Sequence, residues 1–144
     1  MTNIISKYLK KSLEDKKLLL IGAGGIGCEV VKNLINYQFK ELHIVDLDQI
    51  ELTNLNRQFY FRKEHIGKNK ASVIKNIINV LAPHIDVIDH PHSIYKEKFN
   101  VKFFGTFDAV IMALDNIEAR QHVNKMCQIS GVVAFDAGTN GLNG

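Results

Sequence analysis

The stretch Leu18-Leu19-Leu20-Ile21-Gly22-Ala23-Gly24-Gly25-Ile26-Gly27 decides the fold. An apolar run of strand character breaks into glycines at Gly-x-Gly-x-x-Gly spacing, and a helical pattern follows, with Ile26, Val30 and Leu34 beside Val31 and Ile35 at three- and four-residue intervals. Glycine suits such a turn because a side chain would hold the backbone away from a phosphate, and because the turn requires angles that a Cβ makes costly. The N–H groups and positive dipole end of the following helix favour an anion at the same point. Gly22, Gly24, Gly25 and Gly27 are therefore candidate phosphate-binding residues. The motif alone does not separate dinucleotides from mononucleotides.

Strand-like and helix-like segments alternate along the rest of the chain, the pattern of a parallel sheet covered by helices on both faces. The spacing predicts strands over 17–21, 42–45, 85–88, 109–113 and 132–135, and helices over 26–37, 69–81 and 116–129. Pro83 stops the second helix and Gly131 the third. The fold class expected is a Rossmann-like, doubly wound, mostly parallel α/β sheet. The chain closes on Gly138-Thr-Asn-Gly-Leu-Asn-Gly144 directly after a strand, where a doubly wound fold is expected to continue, so truncation at the C-terminal side is expected.

With 144 residues, 46% of them apolar, the chain has material for one core. Eighteen basic against fifteen acidic residues leave a formal charge of +3, too mild to argue for nucleic-acid or membrane binding. No stretch approaches about eighteen uninterrupted apolar residues. Two distant cysteines form neither a disulfide framework nor a metal-ligand pair, which points to a reducing compartment. Cys28 and Cys127 fall on apolar helix faces and read as small buried hydrophobes. His90-Pro91-His92 lacks further ligands and reads as a surface loop. Phe59, Tyr60 and Phe61 follow the Arg57 segment; the family resemblance given below implies packing or a partner interface for them rather than base stacking.

Candidate chemistry gathers after the glycine turn. Asp46 ends the second strand nineteen residues past Gly27, the place from which a carboxylate reaches a nucleotide ribose. The competing reading is an acidic turn residue. Asn54, Asn56, Arg57 and Gln58 then supply neutral and cationic donors, and the Arg57 fork suits bidentate phosphate contact. Lys70 enters at the first turn of the helix starting near Asn69, so its ammonium and that dipole end serve one anion. Asp115 leaves the fourth strand at the carboxyl end of the sheet, placed to hold Mg²⁺ through one carboxylate; the alternative is a helix N-cap neighbour. The run from Arg57 to Lys75, with Arg62, Lys63 and Lys68, also reads as a solvated basic face. So many donors suggest triphosphate chemistry.

Gly22-Ala-Gly-Gly-Ile-Gly27, Asp46-Leu-Asp-Gln-Ile50, Asn54-Leu-Asn-Arg-Gln-Phe59, Gly67-Lys-Asn-Lys70 and Ala113-Leu-Asp-Asn116 together resemble the adenylation domain of ubiquitin-like protein activating enzymes, relatives of ThiF and MoeB. His92-Ser-Ile94, Asn100-Val-Lys-Phe-Phe104 and Ala119-Arg-Gln-His-Val-Asn-Lys-Met-Cys127 resemble the SUMO-activating branch of that family. The resemblance spans about residues 15–144. It implies that ATP and Mg²⁺ bind beside the C-terminal Gly-Gly tail of a SUMO-like modifier, whose carboxylate attacks the α-phosphate to give an acyl-adenylate and pyrophosphate. Carried over by position, Asp46 would hold the ribose, Asn54, Arg57 and Lys70 the phosphates, with Arg57 and Lys70 as catalytic cations, and Asp115 the metal. A companion subunit in a heterodimer, a SUMO-conjugating enzyme and a nuclear or cytoplasmic location are implied as well. The family's catalytic-cysteine domain, four-cysteine zinc site and ubiquitin-fold domain have no counterpart in residues 1–144, so these residues are expected to be part of an adenylation domain, inactive alone. Asp136-Ala-Gly-Thr139 departs from the family's Glu-Ser-Gly-Thr, and the segment 89–107 is shorter than usual.

Two other readings compete. A nicotinamide-dependent oxidoreductase explains the glycine turn and Asp46 but leaves Asn54, Arg57 and Lys70 without a task. A non-catalytic partner subunit of an activating enzyme keeps the fold and loses nucleotide residues, which the full polar set argues against.

Overall fold

The computed structural model describes residues 13–138, so the closing segment after Gly138, where truncation is expected, lies outside the described residues. Five strands, β1 (Lys17–Ile21), β2 (Glu41–Val45), β3 (Asp86–His90), β4 (Ala109–Met112) and β5 (Val133–Asp136), form one sheet in the order β3-β2-β1-β4-β5. Every pairing is parallel, with Leu20 level with Ile44 on one side and Ile111 on the other. Such an order reverses direction of growth at β1, and ligands of open parallel sheets collect outside the carboxyl ends of the strands at that point.

Each strand crosses to the next through a helix: α1 (Gly25–Leu34), α2 (Lys70–Leu81), the single turn α3 (Val101–Phe104) and α4 (Ile117–Ser130). Alternation along β1 feeds two cores. Leu20 joins Leu42, Ile44, Val31, Ile74 and Ile78 beneath α1 and α2, while Leu19 and Ile21 join Val110, Met112, Phe104, Val123 and Cys127 beneath α3 and α4. Leu19 and Leu20 are fully buried, worth roughly 2–3 kcal/mol each in transfer from water. Helices on both faces require apolar residues on both sides of β1, which is why Leu18 to Ile21 read as a continuous run.

The predicted elements are all present, with shifted ends. The first helix stops at Leu34 rather than 37, because Asn36 and Tyr37 fold back in a tight turn onto the carbonyls of Asn33 and Leu34. Asn69 and Asn116 are not helical but cap α2 and α4, accepting from the Ser72 amide at 3.1 Å and the Ala119 amide at 2.8 Å. The third strand runs two residues past Ile88, so His90 belongs to the sheet and is partly buried, not a surface residue; its Nε2 lies 2.9 Å from His43 Nδ1, and its ring packs edge-on to Phe99 and Phe103. His92, two residues on, is exposed as expected. Among the described residues no helix is long and apolar enough to cross a membrane.

Candidate functional site

The glycine turn is built on two close approaches. Gly22 has φ +99°, and a Cβ there would run into the Ala113 carbonyl; a Cβ on Gly27 would run into the Gly22 carbonyl. These two glycines let β1, β4 and α1 meet. Gly24 and Gly25 differ: the nearest atoms to a Cβ would be Gln58 Nε2 at 4.0 Å and the Arg57 carbonyl at 3.6 Å. Their space opens into a cavity of about 700 Å³ at the carboxyl edge of the sheet. No side chain caps α1 at Gly24, which leaves its first turn of amides for a ligand.

Asp46, Asn54, Arg57, Lys70 and Asp115 all line this cavity. Asp46 follows β2 and is tied on both oxygens, accepting from the Ala23 amide at 2.6 Å and the Asp48 amide at 2.7 Å. Burial pushes its carboxyl above the usual aspartate range, against the pull of those two amides. Asn54 closes a 3₁₀ turn at Leu52–Asn54 and is buried; its Oδ1 accepts from the Glu51 amide at 2.9 Å, and the residue lines the cavity. Arg57 is exposed and donates to the Thr53 carbonyl at 2.8 Å, with no carboxylate partner among the described residues. Lys70, the first residue of α2, is 7% exposed and pairs with Asp48 Oδ2 at 3.0 Å. Asp115 is exposed at the rim and makes no side-chain hydrogen bond among the described residues. Because Asn116 is the cap of α4, Asp115 is left without that structural task.

Asn56 is not part of the cavity lining: it is exposed, and its Oδ1 accepts from Arg57 at 3.3 Å. Tyr60 and Phe61 are buried in the core as packing residues, whereas Phe59 is half exposed beneath the Lys32 ammonium, 4.8 Å from its ring centre. Cys28 and Cys127 are buried, with desolvation pushing the Cys28 thiol up to about 11 and the Cys127 thiol upward as well, the opposite of an activated nucleophile.

Gln58, read above as one of the polar donors, and Arg120, which no local pattern singles out, complete the site. Gln58 is buried against Gly24, and its Oε1 finds no partner among the described residues. Arg120 grips the Leu114 carbonyl at 2.8 and 3.1 Å and the Ala137 carbonyl at 3.1 Å, which fixes the loops after β4 and β5 around Asp115. The charge of the lining is also unexpected. Four carboxylates, Asp46, Asp48, Glu51 and Asp115, face only two permanent cations, Arg57 and Lys70. A polyphosphate entering such a cavity must bring cations with it. No group of three or more His, Cys, Asp or Glu among the described residues forms a ready metal cage. That donor set fits Mg²⁺, which binds through one or two carboxylates with phosphate oxygens and water completing its shell.

A wholly parallel sheet whose central strand ends in a glycine turn over a polar cavity defines a Rossmann-like α/β protein. The chain belongs to the ThiF family, matching it over residues 1–144. It is 42% identical over 134 residues to the SUMO-activating enzyme subunit uba-2 of Caenorhabditis elegans, covering 93% of this chain and 23% of that protein. To SUMO-activating enzyme subunit 2 of Dictyostelium discoideum it is 45% identical over 144 residues, 97% of this chain and 22% of that protein. A ubiquitin-activating enzyme E1-like protein of Saccharomyces cerevisiae is 38% identical, with 23% of its length covered. The chain thus spans less than a quarter of the length of these relatives. Among solved structures, E. coli MccB with AMPCPP and selenomethionine-labelled MccA superposes with a TM-score of 0.78 at 29% identity, over 90% of this chain and 39% of that one. MccB with succinimide matches equally well.

Proposed function

We propose that the chain is the N-terminal part of the adenylation domain of a ubiquitin-like modifier activating enzyme, a partner of a companion subunit, with a SUMO-like protein as the modifier. The domain activates the modifier's C-terminal glycine with ATP, and a cysteine in another part of the enzyme then takes the acyl group. The observation that carries this reading is the single cavity shared by the glycine turn and the five polar residues. The two SUMO-activating relatives support the substrate class, and MccB with AMPCPP, a methylene analogue of ATP, supports the nucleotide.

In this reading Gly24 and Gly25 admit the phosphates to the uncapped amides of α1. Asp46 receives the ribose with the lone pairs its two amide bonds leave over. Asn54 donates from Nδ2, Arg57 leaves its own turn to pair with phosphate oxygens, and Lys70 delivers a fixed positive charge from the wall. Asp115 would hold Mg²⁺ through its carboxylate, and the ion would supply charge neutralisation between the polyphosphate and an anionic tail. Positioning and charge compensation are the main catalytic resources for transfer at phosphorus, so these side chains need supply little covalent chemistry. A nuclear or cytoplasmic setting, and a conjugating enzyme docked elsewhere on the full protein, complete the proposal.

The test is ATP–pyrophosphate exchange by the full-length protein with its companion subunit. Exchange is expected only when a SUMO-like modifier is present, and Lys70→Ala or Asp115→Ala should each lower it by about a hundredfold or more. Unchanged exchange in either variant removes that residue's role, and robust exchange by residues 1–144 alone overturns the assignment as part of a larger domain.

A further inference from the structure

Asp48 lies between the ribose candidate Asp46 and the turn that carries Arg57, and its side chain does something the adenylation reading does not use. Its carboxylate holds the Lys70 ammonium at 3.0 Å. The two partners are unequal: the Lys70 side chain is 9% exposed and the Asp48 side chain 57%. The cation is therefore fixed in the wall, and the carboxylate is the partner free to leave. The Asp48 backbone is clamped on both sides, its amide donating to Asp46 and its carbonyl accepting from the Lys70 amide at 3.0 Å and Asn69 Nδ2 at 3.1 Å. Release of the ammonium consequently needs only a side-chain rotation, with the main chain unmoved.

We propose that Asp48 is a positioning residue that occupies on Lys70 the place of a phosphate oxygen, holding the ammonium in line until a polyphosphate displaces it. This rests on the reading that the cavity takes a polyphosphate. A cation so deeply set, with no carboxylate beside it, is costly, so the pair compensates the Lys70 ammonium and keeps it aimed. The same carboxylate is one of four around the cavity and opposes the incoming anion. Both effects act in one direction. Removing the charge of Asp48 leaves Lys70 undercompensated before binding and lessens repulsion during it, so affinity for the anion rises.

The experiment measures binding of Mg²⁺-free tripolyphosphate and ATP to the full-length protein by calorimetry, comparing wild type with Asp48→Asn, and with Asp48→Ser as a second variant that also keeps a short polar side chain. The expected result is roughly three- to tenfold tighter binding in both variants, shrinking as salt is raised. In a Lys70→Gln background the same change should alter affinity less than about twofold, because the ammonium it acts through is gone. The thermal midpoint of Asp48→Asn should fall without ligand and recover with tripolyphosphate. Equal or weaker binding by both variants, or an undiminished gain without Lys70, overturns the proposal. Tightened tripolyphosphate binding in a protein that exchanges no pyrophosphate with any modifier upholds the ion-pair role and sinks adenylation. Intact exchange with unchanged affinity in the variants does the reverse.

Discussion

The Asp46 carboxylate accepts from the backbone amide of Ala23 at 2.6 Å, so the end of β2 holds the glycine turn that leaves β1. The residue placed to meet a ribose is also a strut. Hydrogen bonds to a charged acceptor contribute about 1.5–3 kcal/mol each, partly offset here by the burial that raises its pKa. Asp46→Ala is therefore expected to lose about 2–3 kcal/mol of stability as well as nucleotide affinity, measured by urea unfolding and by ATP titration. A variant as stable as wild type would leave Asp46 with the ligand task alone.

Gly27 and Gly24 separate structure from binding. Gly27→Ala forces a methyl onto the Gly22 carbonyl in the middle of the packed turn, and a loss of about 2–4 kcal/mol is expected from overpacking against backbone. Gly24→Ala meets nothing closer than 4.0 Å and has an ordinary φ of −79°, so the fold should keep its stability to within about 0.5 kcal/mol. Its methyl would stand in the cavity instead, and nucleotide affinity should fall at least about tenfold. Thermal melts and ATP titrations of the pair read the two effects apart.

His90 is held neutral in the fold, its pKa pushed down to about 4 by burial and then by His43 beside it. Between about pH 6.5, where an unfolded histidine takes up its proton, and pH 4, the unfolded chain binds more protons than the folded one. Stability contributed here is thus intact above that window and lost as pH falls through it. His43 is depressed in the same direction by burial. His90→Leu, which suits the surrounding Phe99 and Phe103, should flatten the fall in unfolding free energy between pH 6.5 and 4 relative to wild type. An unchanged slope would remove His90 as its source.

Cys28 and Cys127 should not react with a thiol reagent at pH 8 in the folded protein, and both should react at once in denaturant. Cys28→Ala should cost about 1 kcal/mol of stability and leave pyrophosphate exchange unaltered. A fast native reaction at either thiol would contradict their burial.

The sheet and its polar set were legible in the residues for one physical reason. In a parallel sheet every strand ends on the same edge, so Asp46, Asp115 and the segment beginning at Asn54 come together once the strands before them are recognised. What was not legible depends on contacts between distant residues. Nothing local to Asp48 says that it meets Lys70, and nothing local to Arg120 says that it spans two loops. The 3₁₀ turns at Leu52–Asn54 and Lys63–His65 and the one-turn α3 are too short for a period to emerge. His90 misled because Pro91 marks a boundary without fixing which side of it the last paired residue falls, and the β3 ladder continues to His90 opposite Val45.

The lining of the cavity draws only Ile21 and Val45 from the strands; the rest comes from the turns beyond them and from the first residues of α1, α2 and α4. Scaffold and specificity are consequently heritable as separate modules. Ser93 and Tyr95, beyond the end of β3, can diverge without disturbing a single strand pairing, so the rim can be remade while the sheet beneath passes unaltered from ancestor to descendant.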